Sequence, residues 1–330
     1  MKKDKSWNLP PPCDKLCRGH MDLPDGIYLQ NMSINEIRER VKKNDIIIIP
    51  VGSTENHGPA ACIGEDTFLV TRMAELVAQK TGCTVAQPTW YGSHPYHHVG
   101  MPGSIIVPEE IFKGLLRAVM AGCWNMGFRK MILLNGHGQE YVIPSAIHEW
   151  AKNYQLPAVI CNVNWYHAIP EYCKDKEHGG PFETPFIHAD EAETSFSMTL
   201  FPEMIKKIDS CEDNEVVGWM PDGHVDKAGN IYQKPIRWYG QVGFGPIEVS
   251  AYPEGHVGCP SKATFEKGEP GIEAFLDYLE KLVNDILKTF PPGQLPPIEG
   301  ITQRDPKEIE LYIKGPLNGG KSIYELRYPP

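Results

Sequence analysis

The chain predicts an α/β protein built on a mainly parallel sheet with helices on both faces. Short, unbroken apolar runs recur along the sequence, segments of helical length separate them, and glycine or polar turns mark the joins. Strands that read as continuous apolar runs, rather than alternating, belong to sheets buried on both sides.

Each element follows in order. Residues 1–30 are Pro-rich and irregular, an arm over the body or over a neighbouring subunit. Ser33 is a good N-cap for a helix over 33–43. Ile46–Val51 is a wholly apolar strand, followed by a helix over 66–80 and a strand over 84–87. The helix Glu109–Met126 is ended by Gly127. A strand over 130–134, a helix Val142–Tyr154 and a strand over 158–163 continue the alternation. Residues 189–200 read as a helix stopped near Pro202, and 270–289 as a final amphipathic helix. The stretch 203–262 breaks the pattern, being rich in Gly, Pro and aromatics such as Trp219, Tyr232 and Trp238. It is expected to be an irregular insertion near the site or at a subunit contact. A Pro-rich tail covers 291–330, and the whole chain, 1–330, is read as one domain.

Composition narrows the function classes. The 330 residues are 41% hydrophobic and 22% charged, ordinary for a soluble globular protein. Lys and Arg total 32 against 42 Asp and Glu, a formal net charge of -10, with no basic stripe. That balance argues against nucleic-acid backbone binding. No apolar run reaches the length of a membrane span. The first residues lack the apolar core of a signal peptide, so the expected location is the cytoplasm. Nine scattered cysteines imply no disulfide framework. Cys13, Cys17 and His20 could form half a zinc site, but no second pair matches them, and free thiols fit better.

The chemistry concentrates at strand ends, where ligands bind in sheets of this kind. After Ile46–Val51 comes Gly52-Ser53-Thr54-Glu55-Asn56-His57-Gly58-Pro59, then Asp66. In extended backbone, residues i and i+2 share a face, so Glu55 and His57 can reach one point. Asp66 adds a second carboxylate. Mixed oxygen and nitrogen donors suit a zinc-, manganese- or iron-type ion. A polar turn with Asp66 as a helix cap is the plainer alternative. After the strand at 130–134 comes Asn135-Gly136-His137-Gly138-Gln139-Glu140, whose glycines let the backbone present the imidazole. A third group is His188-Ala189-Asp190-Glu191-Ala192-Glu193-Thr194-Ser195, which also fits a solvated, dipole-complementing helix start. Tyr91, His94, His97 and His98 cluster in a fourth stretch, read as a polar pocket wall.

Glu-x-His with Asp nine residues on, then Asn-Gly-His-Gly, then His-Ala-x-x-x-Glu-Thr-Ser, resembles the creatininase (creatinine amidohydrolase) family. Gly258-Cys259-Pro260-Ser261-Lys262-Ala263 resembles that family's late Gly-x-Pro-Ser-x-Ala block. The resemblance implies a three-layer α/β/α fold, a homohexamer, and a divalent-metal centre of one or two ions (Zn, Mn or Fe). Carried over by position, it implies Glu55, His57, Asp66 and His137 as metal ligands, with Asp66 bridging. Glu193 matches an acidic ligand and catalytic position, and His188 the histidine that shuttles protons.

Two departures bear on the substrate. Creatininase has a metal-binding glutamate where this chain has Gln139, and a Trp-Asp pair where it has Thr184-Pro185-Phe186-Ile187. Creatinine is therefore not the expected substrate. The resemblance implies a metal-dependent hydrolase opening a small polar ring. Members of this kind cleave a C–C bond of oxidised inositols such as 3-dehydro-scyllo-inosose. Hydrolysis of a cyclic amide or formamide is the alternative enzyme, and an inactive metal-binding scaffold the alternative of another class. Gln139, His97, His98 and Tyr91 are the expected substrate contacts.

Overall fold

Alternate side chains of the first strand leave on opposite faces, and both faces are apolar. In β1 (Ile46–Val51), Ile46 and Ile48 enter one core while Ile47, Ile49 and Val51 enter the other. A strand of this kind cannot face water on either side, so helices cover both. The computed structural model describes residues 26–95, 98–206, 208–214 and 254–297. It shows a four-stranded, all-parallel sheet in the order β2-β1-β3-β4, with β2 at Thr84–Val85, β3 at Lys130–Asn135 and β4 at Val159–Asn164.

One helical layer holds α1 (Ile34–Lys43), α3 (Glu109–Met126) and α4 (Val142–Tyr154). The opposite layer holds α2 (Glu65–Thr81), α6 (Glu191–Leu200) and α7 (Phe265–Thr289). The short α5 (Trp165–Ala168) follows β4 directly. This is the three-layer α/β/α arrangement.

Local chemistry sets the ends. Ser33 and Glu36 form a reciprocal capping box on α1. Gly127 closes α3 at φ 107°, a left-handed conformation that costs glycine nothing. Several bounds differ from expectation, those of α1, α2 and β3 by one residue at one or both ends. The strand expected over 84–87 is Thr84–Val85, with Tyr28 bridging to Val85 alongside it, so the end of the N-terminal arm joins the sheet edge. The strand expected over 158–163 is shifted by one residue. Helix α6 starts at Glu191 because Asp190 caps it, accepting from the N–H groups of Ala192 and Glu193 at 2.7 and 3.1 Å. Helix α7 starts at Phe265, five residues before Pro270, with Thr264 as its cap.

Within 203–262, the described parts carry short 3₁₀ turns at Pro202–Met204, Ile208–Ser210 and Pro260–Lys262. Residues 215–253, with Trp219, Tyr232 and Trp238, lie outside the described residues, as do Cys13, Cys17 and His20, the arm before residue 26 and the tail after 297. Among the described residues no helix is long and apolar enough to cross a membrane.

At the sheet's amino end, Lys130 and Asp45 form a fully buried pair, Nζ to Oδ1 2.6 Å and to Oδ2 2.7 Å. Lys130 also donates to the Pro291 carbonyl (3.1 Å), and Asp45 accepts from Gly293 N (2.9 Å), pinning the chain after α7. Truncating one member of such a pair strands a buried charge. Lys130→Ala is expected to lower unfolding free energy by about 3–5 kcal/mol, read from urea unfolding. A loss below about 1 kcal/mol, the range of an exposed pair, would show that the pair does not brace the sheet.

Candidate metal centre

β1 and β3 are neighbours in register, with Val51 opposite Asn135, so the loops beyond them leave side by side. The first turn of α2 rests on both. A side chain at Gly52 would overlap Thr67, and one at Gly136 would overlap the Asp66 carbonyl and Val70. Glycine at these two points lets the carboxylates opening α2 reach the histidines beyond the strands.

The result is a buried set of acids and imidazoles. Glu55 Oε2 lies 2.7 Å from His137 Nδ1, and its Oε1 lies 2.9 Å from His98 Nδ1 and 3.6 Å from His188 Nδ1. Asp66 stands between His57 Nε2 (3.3 Å to Oδ1) and His137 Nδ1 (3.1 Å to Oδ2), and accepts from Ser53 Oγ at 2.6 Å. Glu193 closes the set from α6, its Oε2 held by the Ala189 N–H at 2.6 Å. Ala189 has φ 44°, a strained value for a residue with a Cβ, and it turns the chain sharply between His188 and α6.

Tautomers show what is missing from the protein atoms alone. His57 Nδ1 lies 3.1 Å from the Glu55 carbonyl, which makes Nδ1 the N–H and, in the neutral ring, Nε2 the lone-pair atom. That lone pair points among the carboxylates of Asp66 and Glu65 and has no hydrogen-bond partner. Glu55 Oε1, Glu65 Oε2 and His137 Nε2 are likewise buried without one. Buried atoms of this kind normally find partners. A cation satisfies lone pairs that converge, and the residues fit one: His57, Asp66 and Glu193 place ligating atoms within 4.8 Å of one another, as do Glu55, His57 and His188, and Glu55, His94, His98 and His137.

Electrostatics agree. Burial raises the carboxyl of Glu55, but the imidazoles of His137, His98 and His188 outweigh it and hold it well below the usual range. Burial disfavours charge on His137, yet Glu55 and Asp66 push it up to about 10. Burial lifts Glu193 well above the usual carboxylate range, with Glu65, Asp66 and Asp190 adding to it against the pull of His57. Glu65 is raised to about 7 by burial, with His57 and a bond from Ser197 opposing.

The sequence-predicted residues divide. Glu55, His57, Asp66, His137, His188 and Glu193 come together. His98, expected on a substrate wall, sits inside the cluster. Gln139 is buried with its amide engaged: Oε1 accepts from Ser93 N (2.9 Å), and Nε2 donates to Gly52 O (3.1 Å) and Asn135 Oδ1 (3.2 Å). It braces the loops. Tyr91 is 53% exposed and stands outside the cluster. His97 lies outside the described residues. Glu65 was not anticipated; successive residues of a helix diverge, so nothing in the sequence marked both Glu65 and Asp66 as inward. Just before the late block, Val257 N donates to the His188 carbonyl at 3.0 Å, and Gly255 packs on Asn56 too closely for any side chain.

A parallel α/β/α sandwich with mixed carboxylate and imidazole donors at its strand ends defines a metal-centre enzyme fold. The family model for creatininase, creatinine amidohydrolase, matches residues 30–283. The chain is 62% identical over 305 residues to 3-dehydro-scyllo-inosose hydrolase of Thermotoga maritima, covering 92% of this chain and 98% of that one. It is 23% identical to creatinine amidohydrolase of Pseudomonas putida, covering 81% and 98%. Solved creatininases share the fold: a Zn-Zn type mutant at TM-score 0.64 and 19% identity, and a Mn form at 0.62 and 20%, each covering 81% of this chain and 99% of the other. The chain belongs to the creatininase family.

Metal binding should release protons. With His137 held at about 10, its imidazole carries a proton at neutral pH in the metal-free protein. Ligation requires the neutral ring, so affinity rises with pH as that proton becomes easier to remove. Calorimetric titration of zinc at pH 7, in buffers of different ionisation enthalpy, is expected to show release of at least one proton. Release of none would mean that His137 is not a ligand.

Proposed function

We propose that this chain is a metal-dependent hydrolase that opens an oxidised inositol ring by C–C cleavage, with 3-dehydro-scyllo-inosose as the substrate. The near full-length identity of 62% to the Thermotoga maritima enzyme carries this reading. The amide alternative has weaker support, since the creatinine amidohydrolase is only 23% identical. Phe186, at the stretch where creatininase has its Trp-Asp pair, is buried against Trp165 and Tyr166.

Glu55, Asp66 and His137 would hold one divalent ion, and His57, Asp66 and Glu193 a second, zinc or manganese being the ions that the solved creatininases name. Such ions lower the pKa of water and polarise a carbonyl. Hydrolysis of a 1,3-diketone adds hydroxide to one carbonyl carbon. The adjacent C–C bond then breaks, its electron pair becoming an enolate on the second carbonyl, and a proton returned to carbon completes the addition of water. His188 would return that proton. Its Nε2 is 2.8 Å from the Asn56 carbonyl, which fixes Nε2 as the N–H, so Nδ1 is the atom that takes and delivers protons.

The test is direct. Metal-loaded protein is incubated with oxidised inositols and with cyclic amides, and products are identified by mass. A gain of one water with a new carboxylate and no amine is expected from the inositol. Amine release from an amide, with the inositol untouched, would overturn the reading. His188→Ala should keep its ions while turnover falls about 10²- to 10⁴-fold; unchanged turnover would take His188 out of proton transfer.

A further inference from the structure

His94 and His98 come from the loop between β2 and α3, and neither belongs to the ligand set that family resemblance assigns. Both are buried, at 7% and 1% exposure. His98 Nδ1 lies 2.9 Å from Glu55 Oε1, and His94 Nδ1 lies 3.0 Å from His98 Nδ1. The ring of His94 packs on that of His137 with centroids 4.3 Å apart. Ligating atoms of Glu55, His94, His98 and His137 all fall within 4.8 Å of one another.

What sets this group apart is convergence: four buried side chains from three segments aim ligating atoms at one point. Imidazole nitrogens bind tetrahedral zinc at about 2.0–2.1 Å, which sets neighbouring donors about 3.3–3.4 Å apart, so the 2.9 and 3.0 Å separations need to open by only a few tenths of an ångström. Glu55 Oε1 has no hydrogen-bond partner although His98 Nδ1 is 2.9 Å away, so the two atoms are close without a donor aimed at an acceptor. Two ring nitrogens 3.0 Å apart must share a proton or turn together to a cation.

Gln139 links this loop to the centre. Its Oε1 takes the Ser93 N–H, one residue before His94, and its Nε2 ties the same frame to Gly52 and Asn135. Where a glutamate would offer a carboxylate to the ion, this chain places an amide that anchors the backbone beside His94. We propose that His94 and His98 supply the ligand function absent at Gln139, joining Glu55, Asp66 and His137 around one ion. This rests on the ion-binding reading of the centre. A nitrogen-rich site favours zinc-type ions over manganese, which prefers oxygen donors.

The test uses the full-length zinc protein. X-ray absorption at the zinc edge is expected to find about twice as many imidazoles per ion as His57 and His137 alone would give. His98→Ala and His94→Ala, checked for folding by circular dichroism, should lose zinc affinity by at least about 10- to 100-fold, the range for loss of supporting partners alone. Cobalt-loaded protein should show an altered visible spectrum in both variants. An imidazole count explained by His57 and His137, or variants with unchanged affinity and cobalt spectrum, would overturn the assignment while leaving the metal centre intact. Absence of any bound zinc in the parent protein would overturn both.

Discussion

The centre depends on how closely the first turn of α2 can approach the sheet. Gly52 and Gly136 lie just past β1 and β3, at the same level because the strands are in register. Thr67 and Asp66 come down onto them with no room for a Cβ. That contact fixes the height of Glu65 and Asp66 above the strand ends. It also sets two carboxylates at a helix N-terminus, where the unpaired N–H groups favour negative charge. His57 and His137 reach Asp66 from opposite sides because their loops leave adjacent strands. The other members are then added from outside this frame: Glu193 from the capped start of α6, and His188 from the strained turn before it.

The elements that were legible are those whose signals are local. Ile46–Val51 has no polar residue to place at a surface, and Gly127 is a stop that any helix would use, so β1 and α3 could be bounded from sequence. Helix α7 could not. Pro270 reads as a first-turn residue, yet the helix runs through it, forgoing one backbone bond. The compensation is tertiary: Gly268 rests on the Ser195 carbonyl and Gly271 on Phe196, so α7 lies tightly on α6. The short β2 has the same kind of cause, since its edge is completed by Tyr28 from a distant part of the chain.

The site divides in the same way. Glu55, His57 and Asp66 could be grouped from spacing, because extended backbone and strand ends constrain where they point. Gln139 shows the limit of that logic. Its residue type signals a missing carboxylate, but its partners Ser93 and Gly52 lie 46 and 87 residues away. Only the fold shows that this amide braces the loop bearing His94 and His98. Glu65 was hidden because its inward turn depends on Ser197, 132 residues away.

Charge explains why so many acids can be buried together. Glu55, Glu65, Asp66 and Glu193 would repel one another in a low-dielectric site if nothing balanced them. Without metal, protonated imidazoles balance Glu55 and Asp66, as the raised His57 and His137 indicate, while burial pushes Glu65 and Glu193 towards their protonated forms. With divalent ions bound as proposed, the same imidazoles would be neutral ligands and the ions would carry the positive charge. His188 is anchored differently. Its Nε2 is tied to the Asn56 carbonyl, and Asn56 is held through its N–H by Ser104 at 3.1 Å and packed beneath Gly255. Its position therefore comes from backbone and loop packing rather than from the ions. A histidine held in that way could, in the proposed reaction, gain and lose a proton without disturbing the residues proposed to hold the metal.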